Sequence, residues 1–417
     1  MSQVLKPKKG YKSVPWLFGK EIEIPEEWEV KKLNEITNKI GDGIHSTPEY
    51  VEHSEYYFIN GNNLINGKIT YFENTKNVSK EEFLKYELKL NENTILLSIN
   101  GTIGNVAFYN KEKIILGKSA SYIICNDKLN TLFLFYQLQS NLTKKYFSTQ
   151  LTGTTISNLS LSSIRNMIFH LPLFPEQQKI ASILSNINNL IESTRQVIEN
   201  SKSLKTGLMQ KLLTRGISHT KFKKVPWLFG KEIEIPEEWE VKELETLVDI
   251  LDSKRIPLEV SERKKRIGKY PYYGASGIID YVNDYIFDER ILCLSEDGEN
   301  LKSRVLPIAF TVEEKCWVNN HAHVLKMKKN VEHYFIEKVL NHISLLKYVA
   351  STAIPKLNQR DMCTIPILLP PLPEQQKIAS ILSNIDAQID SQTQYKDKLE
   401  RLKKSLMQKL LTGEVRV

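Results

Sequence analysis

Residues able to do covalent chemistry occur in this sequence, but not at the spacing that chemistry needs. Gly117-Lys118-Ser119 has the ending of a phosphate-binding loop, in which glycine backbone N–H groups cradle phosphates and the lysine reaches them. Glu112 stands where the first glycine belongs, so the motif fails. No Gly-x-Gly-x-x-Gly follows a strand pattern, and the Asn-Pro-Pro-aromatic tetrapeptide of amino-methyl transfer to a base is missing. His321 and His323 lie two apart, on one face of a strand, with no further ligand suggested; they read as half-exposed strand histidines rather than metal ligands. The cysteines Cys125, Cys293, Cys316 and Cys363 come no closer than 23 residues, which excludes zinc-finger spacing and leaves four small apolar residues in a reducing compartment. The densest positive run, Arg263-Lys264-Lys265-Arg266 with Lys269, suits either phosphate contacts or a solvated loop.

The elements that must position these residues are set by an internal duplication. Val14–Leu33 and Val225–Leu244 agree at 19 of 20 positions, differing only at Lys32 and Glu243. The segment PEQQKIASILSNI occurs at Pro175–Ile187 and at Pro373–Ile385, and LMQKLLT at Leu208–Thr214 and Leu406–Thr412. The stretches between, about 34–171 and 245–369, look almost unrelated. The chain is therefore one unit written twice, a repeated frame around a private insert. After Pro175 and after Pro373, apolar residues recur every 3.5 positions (Ile180, Ile187, Leu208; Ile378, Ile385, Leu399, Leu406), which predicts two long amphipathic helices with a coiled-coil seam. Each would be a rod of roughly 60 Å. Neither can bury its stripe alone, so the two should pack on each other.

The inserts read as mixed α/β. Strands are expected at Tyr56–Ile59, Thr94–Ile99, Val106–Tyr109, Ile114–Leu116 and Tyr122–Cys125, with a helix over Leu129–Lys145. The second insert offers Gly277–Tyr281, Ile291–Leu294, Val305–Phe310 and Val324–Met327, then a helix around Val331–Leu346. Trp16, Trp28, Trp227 and Trp239 belong to the frame and read as packing anchors.

Length and charge bound the answer loosely. At 417 residues, two or three domains are expected. The formal net charge of +8 permits a polyanionic partner without demanding one. The N-terminal MSQVLKPKKGYKS lacks an apolar core for a signal peptide, and no apolar run approaches bilayer length; a soluble, cytoplasmic protein is expected.

A duplicated frame with IPEEWE before each insert, and LPxxPEQQKIASIL opening a helix that ends LMQKLLT after it, resembles the specificity subunit of type I restriction–modification enzymes. The likeness covers about 14–412 and extends to GDGIHSTP (Gly41–Pro48), FINGNNLINGKI (Phe58–Ile69), INGTIG (Ile99–Gly104), YPYYGASGIIDY (Tyr270–Tyr281) and VNNHAHVL (Val318–Leu325). It implies an α+β fold: two mixed α/β target recognition domains separated by two long helices packed as an antiparallel coiled coil, with an internal pseudo-two-fold repeat. The segments would be 1–171 (arm and first recognition domain), 172–215 (central helix), 216–369 (linker and second recognition domain) and 370–417 (C-terminal helix). The implied function is non-catalytic, sequence-specific recognition of a bipartite asymmetric double-stranded DNA target. The implied partners are two methyltransferase subunits and restriction (translocase/nuclease) subunits, on which S-adenosylmethionine, ATP and Mg would reside, with no cofactor on this chain. The competing reading is a coiled-coil adaptor with two protein-binding inserts.

Two different inserts cannot read the same bases, because donors and acceptors on base edges must be matched side chain by side chain. Half-sites on one face of DNA lie about 34–36 Å apart, so inserts on so long a rod must lean inward or the DNA must bend. Polar and aromatic loop residues are the natural readers. In the first insert these are His45, Ser46, Thr47, Asn60, Asn62, Asn63, Thr154, Thr155 and Asn158. In the second they are Lys254, Arg255, Tyr272, Tyr273, Ser276, Lys302, Arg304, Asn319 and Asn320. The Asn-Gly sites serve equally as turns, and Tyr273 equally as core.

Overall fold

The computed structural model describes residues 8–16, 21–152, 157–350 and 354–417. Thr154 and Thr155 lie outside the described residues. The chain forms two compact units, residues 1–194 with 395–417, and residues 195–394. Each unit thus takes one part of each long helix, Phe174–Arg215 and Leu372–Leu410.

In the first unit the repeated frame begins as a hairpin, Tyr11–Pro15 against Glu21–Pro25. Strand Glu29–Lys32 then pairs antiparallel with Ile168–Leu171, closing the insert at its base. Inside the insert a four-stranded sheet runs Val106–Phe108, Thr94–Ser98, Ala120–Cys125, Thr37–Asp42. Beside it Tyr56–Ile59 pairs parallel with Ile114–Leu116 and antiparallel with Lys76–Val78. The predicted helix over Leu129–Lys145 is two helices, Thr131–Gln139 and Asn141–Gln150. Ser140 is extended (ψ 152°) and its side chain accepts from Thr143 N–H, a cap that starts the second helix.

The second unit repeats this plan, in its insert with a sequence that looks almost unrelated. The hairpin is Phe222–Pro226 with Glu232–Pro236, and Glu240–Glu243 pairs with Pro366–Leu369 at the base. Its sheet runs Ala309–Val312, Ile291–Ser295, Ala322–Met327, Val248–Ile250, the same order by position in the chain. Ile267–Gly274 pairs parallel with Trp317–Val318 and antiparallel with Gly277–Val282. The strand expected at Val305–Phe310 starts only at Ala309. Arg304 is left-handed (φ 52°), and Asn300 bonds both Leu306 N–H and its carbonyl, which holds a turn there.

Within the first unit, Ile180, Ala181 and Leu184 share a core with Leu410 and Leu411, while Ile187 and Ile191 pack with Leu399. Early residues of one helix meet late residues of the other, so the seam is antiparallel. Lys403 Nζ donates to Asn188 Oδ1 across it at 2.7 Å. In the second unit the order is mirrored: Leu212 and Leu213 share a core with Ile378 and Leu382, and Lys205 pairs with Asp386. Cysteines at Ile187 and Leu399 are expected to cross-link within the monomer on mild oxidation; a gel shift confined to dimers would contradict this seam.

Trp28 and Trp239 are fully buried, the packing anchors of their units. The thiols of Cys125, Cys293 and Cys316 are buried too, and burial raises all three above the ordinary thiol range, Cys125 to about 11. They are inert packing groups.

Candidate nucleic-acid interface

Strand polarity decides where the inserts can present side chains. In the first insert Ser98 pairs with Ala120, and Ser121 with Asp42, so three strands end or begin at one edge of the sheet. Ile59 pairs with Leu116, and Ile44 bridges Gly117, which brings the neighbouring sheet to that edge as well. Five loops meet there: 43–47, 60–62, 99–104, 117–119 and 157–158. They are pinned, not draped. A Cβ on Gly43 would strike the Leu116 carbonyl, on Gly61 the Ser98 hydroxyl, and on Gly117 the Asn60 side chain. Ser119 Oγ donates to Asn60 Oδ1 and accepts from Gly61 N–H, both at 2.9 Å. On this rigid base His45, Ser46, Thr47, Asn62 and Lys118 are exposed. Asn60 and Asn158 are half-buried, and Asn158 bridges Asn100 in the adjacent loop.

The second insert builds the corresponding edge from loops 251–255, 275–276, 296–304, 319–321 and 354–356. Ser295 pairs with Ala322, as Ser98 does with Ala120. Glu296 N–H donates to His321 O at 2.9 Å, where Ile99 N–H donates to Ser119 O. Leu357 N–H donates to Glu296 O and Gly298 N–H to Pro355 O, where Leu159 bonds Ile99 and Gly101 bonds Ser157. Asp297 bridges Lys356 as Asn100 bridges Asn158. These backbone bonds match the two edges in register. Lys254, Ser276, Lys302, Asn320 and His321 are exposed in these loops.

Several expected base readers are instead parts of the scaffold. Asn63 is buried, accepting from Asn60 N–H and donating to Thr70 O and Thr75 Oγ1, so its amide is fully used by the loop. Tyr272 is buried with its hydroxyl accepting from Leu258 N–H, and the Arg263 guanidinium stacks on its ring. Tyr273 donates to Glu314 from the core; burial, then Glu314, raises its phenol well above the usual range. Asn319 is buried and accepts from His321 N–H, shaping the turn. Arg304 donates to the Leu340 and Ile343 carbonyls, capping the end of helix His333–His342; burial lowers its ordinarily very high value. Arg255 is held by Glu296 (2.7 Å), Asp252 (3.3 Å) and the Ala322 carbonyl. Residue order does not display these commitments, whether the partner is two residues away, as His321 is from Asn319, or 67, as Ala322 is from Arg255.

His323 is not half-exposed: it is 1% exposed, with Nδ1 2.6 Å from Asp252 Oδ2 and Nε2 2.8 Å from the Leu357 carbonyl. Asp252, Glu296 and His323 are close enough to share a metal, but the Arg255 guanidinium already bridges the two carboxylates. The cluster is the polar core beneath the loops. The basic run Arg263–Arg266 precedes strand Ile267–Gly274, whose far end leads into loop 275–276, but its side chains reach along that strand. There Arg263 is paired with Asp280, whose carboxyl is lowered first by the Tyr281 N–H and then by Arg263. Arg266 packs over Trp317. These two arginines are committed to partners within the insert.

The repeated PEQQ motif explains how one frame carries two unlike inserts. Gln177, buried, accepts from Asn130 N–H (2.8 Å) and donates to the Lys128 and Pro172 carbonyls. Gln375 accepts from Glu332 N–H (2.8 Å) and donates to the Asn330 and Pro370 carbonyls. In each case the glutamine grips the backbone at the start of the insert's helix, Thr131–Gln139 or His333–His342. Gln375→Ala would leave one N–H and two carbonyls without this partner, at roughly 1–3 kcal/mol for each left unpaired. A clear fall in the denaturation midpoint is expected, and an unchanged midpoint would contradict it. The preceding glutamates accept from the tryptophans: Trp28 Nε1 to Glu176 and Trp239 Nε1 to Glu374, both at 3.0 Å. Arg416 completes the first site and His219 the second.

The family model described as the type I restriction modification DNA specificity domain matches residues 25–200 and again 236–401. The chain belongs to this family. Each match runs from the last residue of the frame hairpin through an insert and into a long helix, so one specificity domain falls in each copy of the duplicated unit. A relative in Methanocaldococcus jannaschii, named for the type I restriction enzyme MjaX specificity subunit, is 30% identical over 414 residues, 95% of each chain. The MjaVIII specificity subunit of the same organism is 28% identical over 421 residues, again 95% of each. A crystal structure of a type I restriction–modification S subunit from M. genitalium shares the fold, with a TM-score of 0.60 at 17% identity, over 92% of this chain and 96% of that one. As a member of the specificity family the chain recognises DNA and is not the catalyst. No helix among the described residues is long and apolar enough to cross a membrane.

Proposed function

We propose that this specificity subunit reads a bipartite, asymmetric double-stranded DNA target, the first insert contacting one half-site and the second the other. One observation carries this reading: the same pinned loop edge is built twice in matched register, and the exposed side chains on the two edges differ. Rigid loops on a sheet suit base readout, since orienting donors and acceptors in advance lowers the cost of binding. Different side chains at matched positions mean different half-sites. In this reading residues 1–171 and 216–369 hold the recognition domains, and 172–215 and 370–417 form the spacer.

The duplicated frame would dock two methyltransferase subunits, because equal surfaces related by a pseudo-two-fold accept equal partners. Restriction subunits would join through that complex. A neighbour of similar fold (TM-score 0.53, 13% identity) comes from work titled for complex assembly and conformational transition of the type I R-M system, which supports docking of this kind. S-adenosylmethionine, ATP and Mg would bind on those partners, and the complex would act on DNA in the cytoplasm. The test is to express the chain with its methyltransferase and sequence the methylome. A two-part motif with unlike halves is expected; modification of unrelated sites, or none above the methyltransferase alone, would refute the reading.

A further inference from the structure

The register match between the inserts identifies one pair of residues that sequence comparison cannot align. Ala120 faces Ser98 and Ala322 faces Ser295, which fixes the turn before each of these strands. Counting back, Ser119 corresponds to His321, and Lys118 to Asn320. Both pairs hold the same backbone bond: Ser119 O accepts from Ile99 N–H and His321 O from Glu296 N–H, each at 2.9 Å. Upstream, Leu116 faces Ile59 and Val318 faces Tyr273 in parallel ladders, so the count agrees from both sides. Lys118 and Asn320 are thus the tips of one turn, at the centre of one loop edge, in two inserts.

Their neighbours are committed and they are not. Gly117 cannot accept a Cβ, Ser119 holds Asn60, Asn319 shapes its turn, and His321 pairs with Asp297 at 2.7 Å. Lys118 and Asn320 are exposed, and neither side chain has a hydrogen bond or ion pair among the described residues. A rigid turn carrying one unpaired polar side chain at its tip is built to meet something outside the chain. The two tips differ in chemistry: an ammonium offers donors only, whereas an amide offers a donor and an acceptor. In a major groove the first fits the O6 and N7 acceptors of guanine, and the second fits the N6 donor and N7 acceptor of adenine.

Building on the DNA-reading function, we propose that Lys118 and Asn320 are equivalent specificity-determining residues, Lys118 reading a guanine in the first half-site and Asn320 an adenine in the second. Each acts on its own half alone. The test uses the full chain expressed with its methyltransferase and read by methylome sequencing. Lys118→Ala should relax one guanine position of the first half-site at least tenfold and leave the second half-site unchanged. Asn320→Ala should relax one adenine position of the second half-site only. Lys118→Arg, which keeps donors for guanine, should retain the first motif. A wild-type chain that directs no bipartite motif would mean that the DNA-reading function itself fails. A wild-type motif that survives both alanine variants would overturn only this assignment. Uniform weakening at all sites with a lower salt slope would overturn it too, because that is the signature of a phosphate contact.

Discussion

Replacing residues 33–167 with the insert of another family member is expected to change the first half of the methylated target completely and to leave the second half as it was. The boundaries follow from the ladder at the base of the insert. Lys32 faces Ile168 and Leu33 N–H donates to Met167 O, so cutting between these residues keeps both frame strands whole. The frame asks little of what it carries. Gln177 and its counterpart Gln375 each need one N–H and one carbonyl at the start of an insert's helix, and both resident inserts offer those from backbone, Asn130 and Lys128 to Gln177, Glu332 and Asn330 to Gln375. A backbone requirement is satisfied by any sequence that turns the same way, which is why the inserts are free to diverge. Methylome sequencing of the chimera decides the matter. Alteration of both half-sites would show that the inserts do not read independently.

The frame and the long helices were legible in the sequence because a repeat and a 3.5-residue period leave marks in residue order. The central helix runs from Phe174 to Arg215, close to the extent expected from Pro175 and Thr214. The common plan of the two inserts was not legible. Its strands are short, and their identity is carried by pairing partners such as Ser295 with Ala322, which residue order does not display. The same limit applied to the loop residues. Asn62 and Asn63 are neighbours of one type, yet the first is exposed and the second is consumed by Thr70 and Thr75. In residue order Lys118 shows only as the remnant of a failed phosphate loop; its exposed place at a turn on the loop edge comes from strand register. Polar type marks a reader only when the fold has left the side chain unspent.

A half-length chain of residues 1–220 is expected to form a weak homodimer that directs methylation to an inverted repeat of the first half-site, and Ser201→Leu is expected to strengthen it. In the first unit the early half of the central helix packs against residues 395–411 of the C-terminal helix. In a half-chain dimer the late half of a second copy's central helix must take that place. It offers nearly the same face: Leu208, Met209, Leu212 and Leu213 stand where Leu406, Met407, Leu410 and Leu411 do, and Lys205 stands for Lys403. The cap is supplied as well if the fragment passes His219. That residue lies three beyond Gly216, as Arg416 lies three beyond Gly413, and each meets the glutamate that binds the frame tryptophan. One seam position fails, since Ser201 replaces Leu399, which is 7% exposed and packs on Ile187 and Ile191. Losing a buried leucine side chain costs about 2–5 kcal/mol, and the symmetric dimer loses it twice. Restoring it at both seams should therefore tighten the dimer by roughly a thousandfold or more. Protein symmetry is mirrored in the DNA, so the modified site must be palindromic in its specified bases. Sedimentation equilibrium of the fragment and its Ser201→Leu variant measures the seam, and methylome sequencing with the methyltransferase reads the target. A folded fragment whose dimer is no tighter with leucine at 201 would show that the late half of the central helix does not occupy this seam.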